Sequence, residues 1–455
     1  MLHPIRSTTS TPINVVIWRY RVERIEVSTV TKQFIRTFDE ASLNELGKAT
    51  RLCRREREAT PYRLMLALLE SFSTGALDSI ADIHRAFNAL CERQMRYKPF
   101  HNQLSKPGFP VFVRLMLTRL LNELACDVLQ FSPNSPFARF EQIRIQDGTS
   151  FALKPALAET FPGRFTTISP AAVELHVDLD LLSEGLNRVT LSADSEGERQ
   201  FLPEPEELAG SLLLADRGYV SIAWLRTLDA ADGRFIIRGK TNMNPLILNA
   251  FGPDGEELEQ FREQPLKAVK ARLKNYACLD MTVRFGKGPK AFVCRLIVHP
   301  NLRGNDVPRY LLTNLERDAF SAQHVSDGYR LRWQVELLFK EWKSHANLHA
   351  FDTANPNIAE GLIWASLCAA TLKRYCAHVT QRIARVAMST RTVAKCIRHV
   401  LSNVLYDLMH SPEQLQLSIA PAIEYLAQNA RRAHPKRDRT SGRLKLGLVH
   451  VHASA

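Results

Sequence analysis

Glu336 stands in line with two cations and a phenol. At about 100° per residue, Tyr329, Arg332, Glu336 and Lys343 fall on one narrow arc of a helix read from Ser321 to Phe351. Leu331, Val335, Leu338, Phe339 and Trp342 fall on another arc and form an apolar stripe. A carboxylate held beside an inward-packing face, among cations, suits work on a polyanion with a metal. Two aspartates upstream complete a set: Asp147 in Asp-Gly-Thr and Asp216 in Asp-Arg-Gly-Tyr, each placed at the end of a strand. Three hard oxygen ligands with open positions suit Mg²⁺ or Mn²⁺, which keep water and accept phosphate oxygens. Two such ions about 4 Å apart activate a water or a 3′-hydroxyl and stabilise the leaving oxygen of an in-line displacement. Without metal, three close carboxylates repel and at least one stays protonated. Each member alone is ordinary. Asp-Gly and Asp-Arg-Gly are common turns, and Arg332 and Lys340 flank Glu336 at the spacing of surface ion pairs. The weight lies in the set.

The elements that must position these groups begin at Arg139, where the period changes from 3.6 to 2. Ile143 and Ile145 alternate with polar residues in a strand that runs into a turn at Asp147-Gly148-Thr149. Val173, Leu175, Val177 and Leu179 mark a second strand, and Val189 and Leu191 a third. Leu212 to Ala215 is apolar throughout, as in a strand covered on both faces, and it stops at Asp216. A helix (Ile222 to Ala231) and a strand (Arg234 to Arg238) follow. This order predicts a mixed α/β sheet. Residues 239–315 break the rhythm and read as a separate β-rich insertion, with strands at Cys278 to Phe285, Phe292 to His299 and Tyr310 to Thr313. The chain divides into a weakly ordered lead-in (1–30), a helical N-terminal domain (31–135), the α/β domain (136–375) and a helical C-terminal region with a basic tail (376–455).

In the N-terminal domain, Thr60-Pro61 opens one helix and Ser79 caps another. A link at Cys91 to Tyr97 leads to a short basic helix, so the pair resembles a helix-turn-helix. The run Arg51, Arg54, Arg55, Arg57 suits phosphate contact or a solvated face. The net charge is +13, and it is spread along the 455 residues as a field for a polyanion would be. Double-stranded DNA is the first partner to consider and an anionic membrane surface the second. The eight cysteines are scattered without zinc spacing and read as thiols of a reducing compartment. No apolar run approaches the ~20 residues of a membrane span, and the N-terminus lacks a signal-peptide pattern. A cytoplasmic location is expected.

The spacing Tyr329, two residues, Arg332, three residues, Glu336, six residues, Lys343 resembles the signature of the DDE transposases of bacterial insertion sequences, specifically the insertion-sequence-four family. Asp147-Gly-Thr and Asp216-Arg-Gly-Tyr219 resemble that family's two aspartate motifs, and Phe235-Ile-Ile-Arg238-Gly-Lys240 resembles its basic strand. The resemblance covers roughly Phe38 to Tyr375. It implies a ribonuclease-H-like catalytic core with a β-rich insertion between the second aspartate and the glutamate. It further implies Mg²⁺-dependent cleavage at element ends and strand transfer into target DNA by cut-and-paste through a hairpin end. By that analogy Asp147, Asp216 and Glu336 are catalytic and hold two Mg²⁺ or Mn²⁺ ions, while Tyr329, Arg332, Lys343, Arg238 and Lys240 contact DNA. An aromatic of the insertion (Phe285, Phe292 or Tyr310) stacks on a flipped base, and synapsis of two ends requires at least a homodimer.

Other features carry less. His345 and His349 are spaced i,i+4 but lie across the helix from Glu336 with no third ligand. Gly286 to Lys290 is too short for a P-loop and suits a hairpin turn. Asp194 and Glu196 read as loop residues. A carboxylate-pair glycosidase is a second class, disfavoured by the basic charge around Glu336. A DNA-binding protein from a decayed element, folded but not recombining, is a third.

Overall fold

In the computed structural model, residues 13–14, 26–55, 57–74, 77–300, 308–345, 352–434 and 446–451 are described. The N-terminal helices are α1 (Val27–Thr37), α2 (Glu40–Ala49), α3 (Pro61–Thr74), α4 (Ile80–Leu90), α5 (Tyr97–Leu104) and α6 (Gly108–Glu123). Local chemistry sets their ends. The Asp39 carboxylate accepts from the Ser42 amide, and Ser79 and Asp82 form a capping box at α4. The sheet region holds β1 (Ile13–Asn14), β2 (Leu129–Phe131), β3 (Ile143–Ala152), β4 (Ala172–Asp180), β5 (Leu186–Ala193), β6 (Leu212–Ala215), α7 (Ile222–Ala230), β7 (Arg234–Arg238), β8 (Leu246–Phe251), α8 (Leu266–Leu273), β9 (Leu279–Phe285), β10 (Phe292–His299) and β11 (Arg309–Thr313). Then come α9 (Ala322–Arg330), α10 (Trp333–His345), the long α11 (Pro356–Ala384), α12 (Thr390–Cys396), α13 (Leu401–His410), α14 (Leu415–Asn429) and β12 (Leu448–His450).

Ten strands form one mixed sheet in the order β1-β5-β4-β3-β6-β7-β11-β10-β9-β8. Among the described residues only β3, β6 and β7 pair in parallel. Side-chain alternation sends the two faces of these central strands to two cores. Ile143, Ile145, Leu212, Leu214 and Ile236 join the larger core, which also holds Tyr329, Leu331, Val335 and α11. Leu213, Ala215, Phe235 and Ile237 join the second core, under α7 and α8. The terminal helical regions are not separate layers: α11 packs on α3, α6, α12 and α14.

Several expectations need correction. The strand carrying Asp147 does not end there. It runs on to Ala152, paired with β4 throughout, while its pairing with β6 stops at Gln146. Asp147-Gly148 reads as a turn in sequence, yet Gly148 is required for packing: a Cβ there would stand 2.4 Å from the Glu174 carboxylate that crosses it. The helix expected from Ser321 onward breaks at Leu331-Arg332, where amides bond to carbonyls three residues back instead of four. The strands of the insertion do not form a separate sheet. β11 pairs with β7, and β10, β9 and β8 continue outward from it. Ile13–Asn14 pairs with β5 and α1 begins at Val27, so the lead-in is structured at those residues. A longer helix read from Val111 to Leu129 ends at Glu123, and β2 and α8 have no counterpart in the spacing read from sequence. His349, Phe351 and most of the basic tail lie outside the described residues. All eight cysteines are free thiols. Among the described residues no helix is long and apolar enough to cross a membrane.

Candidate carboxylate site at the strand rim

Register builds the site. Gln146, Ala215 and Ile237 align across the three parallel strands. The next rung therefore holds Asp147, Asp216 and Arg238 side by side. Parity puts all three on the face of Ile145, Leu214 and Ile236. α9 and α10 pack on that face, and they bring Tyr329, Arg332 and Glu336 to it.

One guanidinium joins the set. Arg332 Nη1 donates to Asp147 Oδ2 at 2.5 Å, and Arg332 Nη2 donates to Glu336 Oε1. The Tyr329 hydroxyl donates to Asp216 Oδ1 at 3.2 Å, and Arg238 Nη1 lies 3.8 Å from the same oxygen. The Arg332 guanidinium sits 5.8 Å from the Tyr329 ring centre. Further along α10, Lys343 Nζ donates to the Ser150 carbonyl at 3.0 Å. Thus Asp147, Asp216, Glu336, Tyr329, Arg332 and Arg238 are brought together. Lys343 lies one stretch of β3 away. Lys240 lies two residues beyond Arg238, and burial and Arg199 lower its pKa.

Burial pushes the Asp147 carboxyl up to about 6. Arg332 and the Gly148 amide pull it down, and Asp216 and Glu336 push it further up. Burial disfavours charge on Arg332, but Tyr329, Asp147 and Glu336 around it raise its pKa above the usual value. Burial also raises the Tyr329 phenol. The centre is therefore an acidic cluster that draws on Arg332 and Arg238.

The donor set is all carboxylate oxygen, which suits a hard divalent cation. Among the described residues no three His, Cys, Asp or Glu side chains stand as a ready metal cage. The geometry gives the reason: Arg332 holds Asp147 and Glu336 apart on its two nitrogens.

The opposite face of β3 and β4 carries groups that sequence reading passed over. Glu174, His176 and Asp178 alternate with apolar residues, a pattern that suggests a solvated face, yet all are buried. Arg144 pairs with Asp178, Arg164 Nη2 donates to Glu174 at 3.3 Å, and His176 lies 3.0 Å from the Ser192 hydroxyl. Asp194, read as a loop residue, accepts from the Arg164 amide at 3.1 Å. Of the aromatics offered for base stacking, Phe292 and Tyr310 are buried and Phe285 packs on the second core. Trp333, the residue that follows Arg332 in the chain, is 57% exposed.

A mixed sheet whose rim gathers carboxylates under a cation-bearing helix defines an α/β protein with an acid-centred rim. The chain belongs to the family of the transposase DDE domain, whose model matches residues 138–372. The mixed sheet is consistent with the ribonuclease-H-like core of that domain, and a DDE domain generally implies use of a divalent metal. The chain is similar to the transposase for insertion sequence element IS231E of Bacillus thuringiensis subsp. finitimus, at 21% identity over 90% of this chain and 93% of that protein. It is similar to the transposase for insertion sequence element IS1151 of Clostridium perfringens, at 20% identity over 69% and 73%. A stretch of 62 residues is 50% identical to the putative transposase InsL for insertion sequence element IS186A of Escherichia coli (strain K12), covering 14% of this chain and 17% of that protein.

Glu174 offers a test of the buried polar face. Burial, with Glu198 beside it, raises its carboxyl to about 7 against the pull of Arg164. The folded state thus binds this proton more tightly than the unfolded chain. The associated stability is complete below pH ~4.5 and is lost as pH rises through about 7. Unfolding in urea at pH 5 and pH 8 should show the native protein losing stability relative to Glu174→Gln over that interval. An unchanged difference at the two pH values would contradict the assignment.

Proposed function

We propose that this protein is a transposase of the insertion-sequence-four family that cuts DNA at insertion-sequence ends and joins them to target DNA by metal-dependent phosphoryl transfer. The observation that carries the reading is the gathering of Asp147 and Glu336 on the Arg332 guanidinium at the strand rim, with Asp216 on the rung beside Asp147 and bonded by Tyr329. Asp147, Asp216 and Glu336 are the catalytic residues and would hold Mg²⁺ or Mn²⁺, two ions in the full site. When bound, such ions lower the pKa of a water or 3′-hydroxyl and neutralise the leaving oxygen.

The chain's own groups do the rest. Arg332 releases the carboxylates and turns to the scissile phosphate. Arg238, Lys240 and Lys343 hold neighbouring phosphates, and Tyr329 orients Asp216 beside the phosphate path. Trp333 offers a ring for a displaced base. In cleavage, water oxygen bonds to phosphorus as the P–O3′ bond breaks, leaving a 3′-hydroxyl. In transfer, that hydroxyl attacks a target phosphate and one P–O bond replaces another. The overall course is cut-and-paste. Synapsis of two ends is performed by a homodimer, and the reaction takes place in the bacterial cytoplasm.

The helical N-terminal domain binds the element's terminal repeats. Arg51, Arg54, Arg55, Arg57 and Lys106 line a concavity of about 940 Å³ between the α2–α3 loop and α5. The loop is fixed there, since Lys106 Nζ and Gln103 Nε2 both donate to the Leu52 carbonyl at 3.0 Å. A cation cluster held in one place suits backbone phosphates.

Two experiments follow. The first is cleavage of a labelled duplex carrying the element's own end, with Mg²⁺. Native protein should cut it, and Glu336→Gln should bind it but cut more than about a hundredfold more slowly. Equal cutting by the variant would remove Glu336 from the reaction. The second is the salt dependence of duplex binding. Replacing Arg54 and Arg57 with Gln should reduce the slope of log K against log[salt] by about 2. An unchanged slope would mean the loop meets solvent and not phosphate.

A further inference from the structure

The β3–β4 hairpin overhangs the catalytic rim. β6 stops at Ala215, while β3 continues five residues past Asp147, paired with β4 from Asp147↔Val177 to Ala152↔Ala172. At ~3.4 Å per residue, the overhang reaches roughly 17 Å beyond the carboxylates. The connection at its end carries an apolar tip. Phe165 is 62% exposed and Ile168 is 88% exposed, the most exposed large apolar side chain among the described residues.

The tip is built, not loose. The amides of Ile168 and Ser169 both donate to the Phe165 carbonyl, at 3.0 and 2.7 Å, closing the turn. Below it, the Gly163 amide donates to the Pro170 carbonyl at 2.9 Å. A Cβ at Gly163 would stand 1.9 Å from the Ser169 carbonyl oxygen, so the two arms touch. Arg164 ties the base down through Asp194 and Glu174. Two large apolar side chains fixed on a short projecting turn cost solvation in the free protein. Such a feature is kept where a partner covers it.

We propose that this tip is a DNA wedge, with Phe165 and Ile168 inserting between base steps of the duplex seated on the acidic rim. This rests on the DNA reading above and names a contact that reading does not contain. Three observations select DNA over another surface. The tip is continuous with the rim through β3. Thr166, Thr167 and Ser169 bring hydroxyls to the same turn, and Arg164, which anchors its base, is half-exposed beside it. The whole chain carries net charge +13. Rigid Phe and Ile side chains unstack a base step and kink the duplex when they enter it. At 3.4 Å per base pair, the overhang spans about five base pairs and the tip lies past its end, so the wedge meets the duplex within about ten base pairs of the scissile phosphate.

The test uses the full chain with p-benzoylphenylalanine at position 165 or 168, bound to the duplex carrying the element's own end and irradiated. Expected is a protein–DNA adduct mapping within about ten base pairs of the cleavage point from both positions, and none from position 417, where Leu417 is exposed on α14. A DNA-bound protein that gives no adduct from 165 or 168 overturns the proposal, as does an adduct to a second protein chain. A second measurement does not depend on the cross-linker. With 2-aminopurine at successive positions near the end, the native protein should raise fluorescence at one step, and the Phe165→Ser, Ile168→Ser double variant should bind within about threefold of native without that rise. A rise kept in the double variant overturns the wedge. Loss of duplex binding by the native protein in a gel shift would instead sink the DNA reading itself, so the two failures are distinct.

Discussion

Two aspartates on neighbouring strands and a glutamate from the helix above them stay charged together only with a cation among them. Two like charges about 4 Å apart in a partly buried site repel by roughly 4 kcal/mol. Here the cation is Arg332, which bonds Asp147 and Glu336 at once, with Tyr329 and Arg238 attending Asp216. The register of β3, β6 and β7 forces the aspartates together, and the break at Leu331-Arg332 turns the guanidinium toward them. The same arrangement that stabilises the folded site makes it a place where another cation would be welcome. Asp147, raised to about 6, still lacks full compensation.

The two faces of the hairpin that carries Asp147 divide the labour. One face points its aspartate at the rim and packs Ile143 and Ile145 into the core. The other buries Arg144, Glu174, His176 and Asp178 in a paired network. Buried pairs of this kind contribute little net stability but penalise slippage, because a one-residue shift would leave each charge unpaired. Register is what aligns Asp147 with Asp216, so the polar face serves the site without touching it.

Much of this was legible because alternation and helical period are local. The parity of Ile143, Ile145 and Asp147, the apolar run before Asp216 and the arc of Tyr329, Arg332 and Glu336 can all be read from spacing. What escaped was set by partners distant in sequence. Gly148 looks like a turn residue until Glu174 is seen to cross it. The insertion looks separate until β11 is placed beside β7. Glu174 and His176 look solvated until Arg164, Asp194 and Ser192 are brought over them. Nothing between Gly328 and Trp333 announces that the helix breaks there.

On the proposed reading, Arg332 occupies the place of the cation that Asp147, Asp216 and Glu336 would hold. Titration of Mn²⁺ into DNA-free protein, followed by the electron spin resonance of the free ion, addresses it directly. Arg332→Gln, which removes the charge and leaves the three carboxylates, should bind Mn²⁺ more tightly than native protein, and Glu336→Gln should bind it more weakly. Equal affinity in native protein and Arg332→Gln would contradict the account, because the guanidinium would then be a bystander to the site.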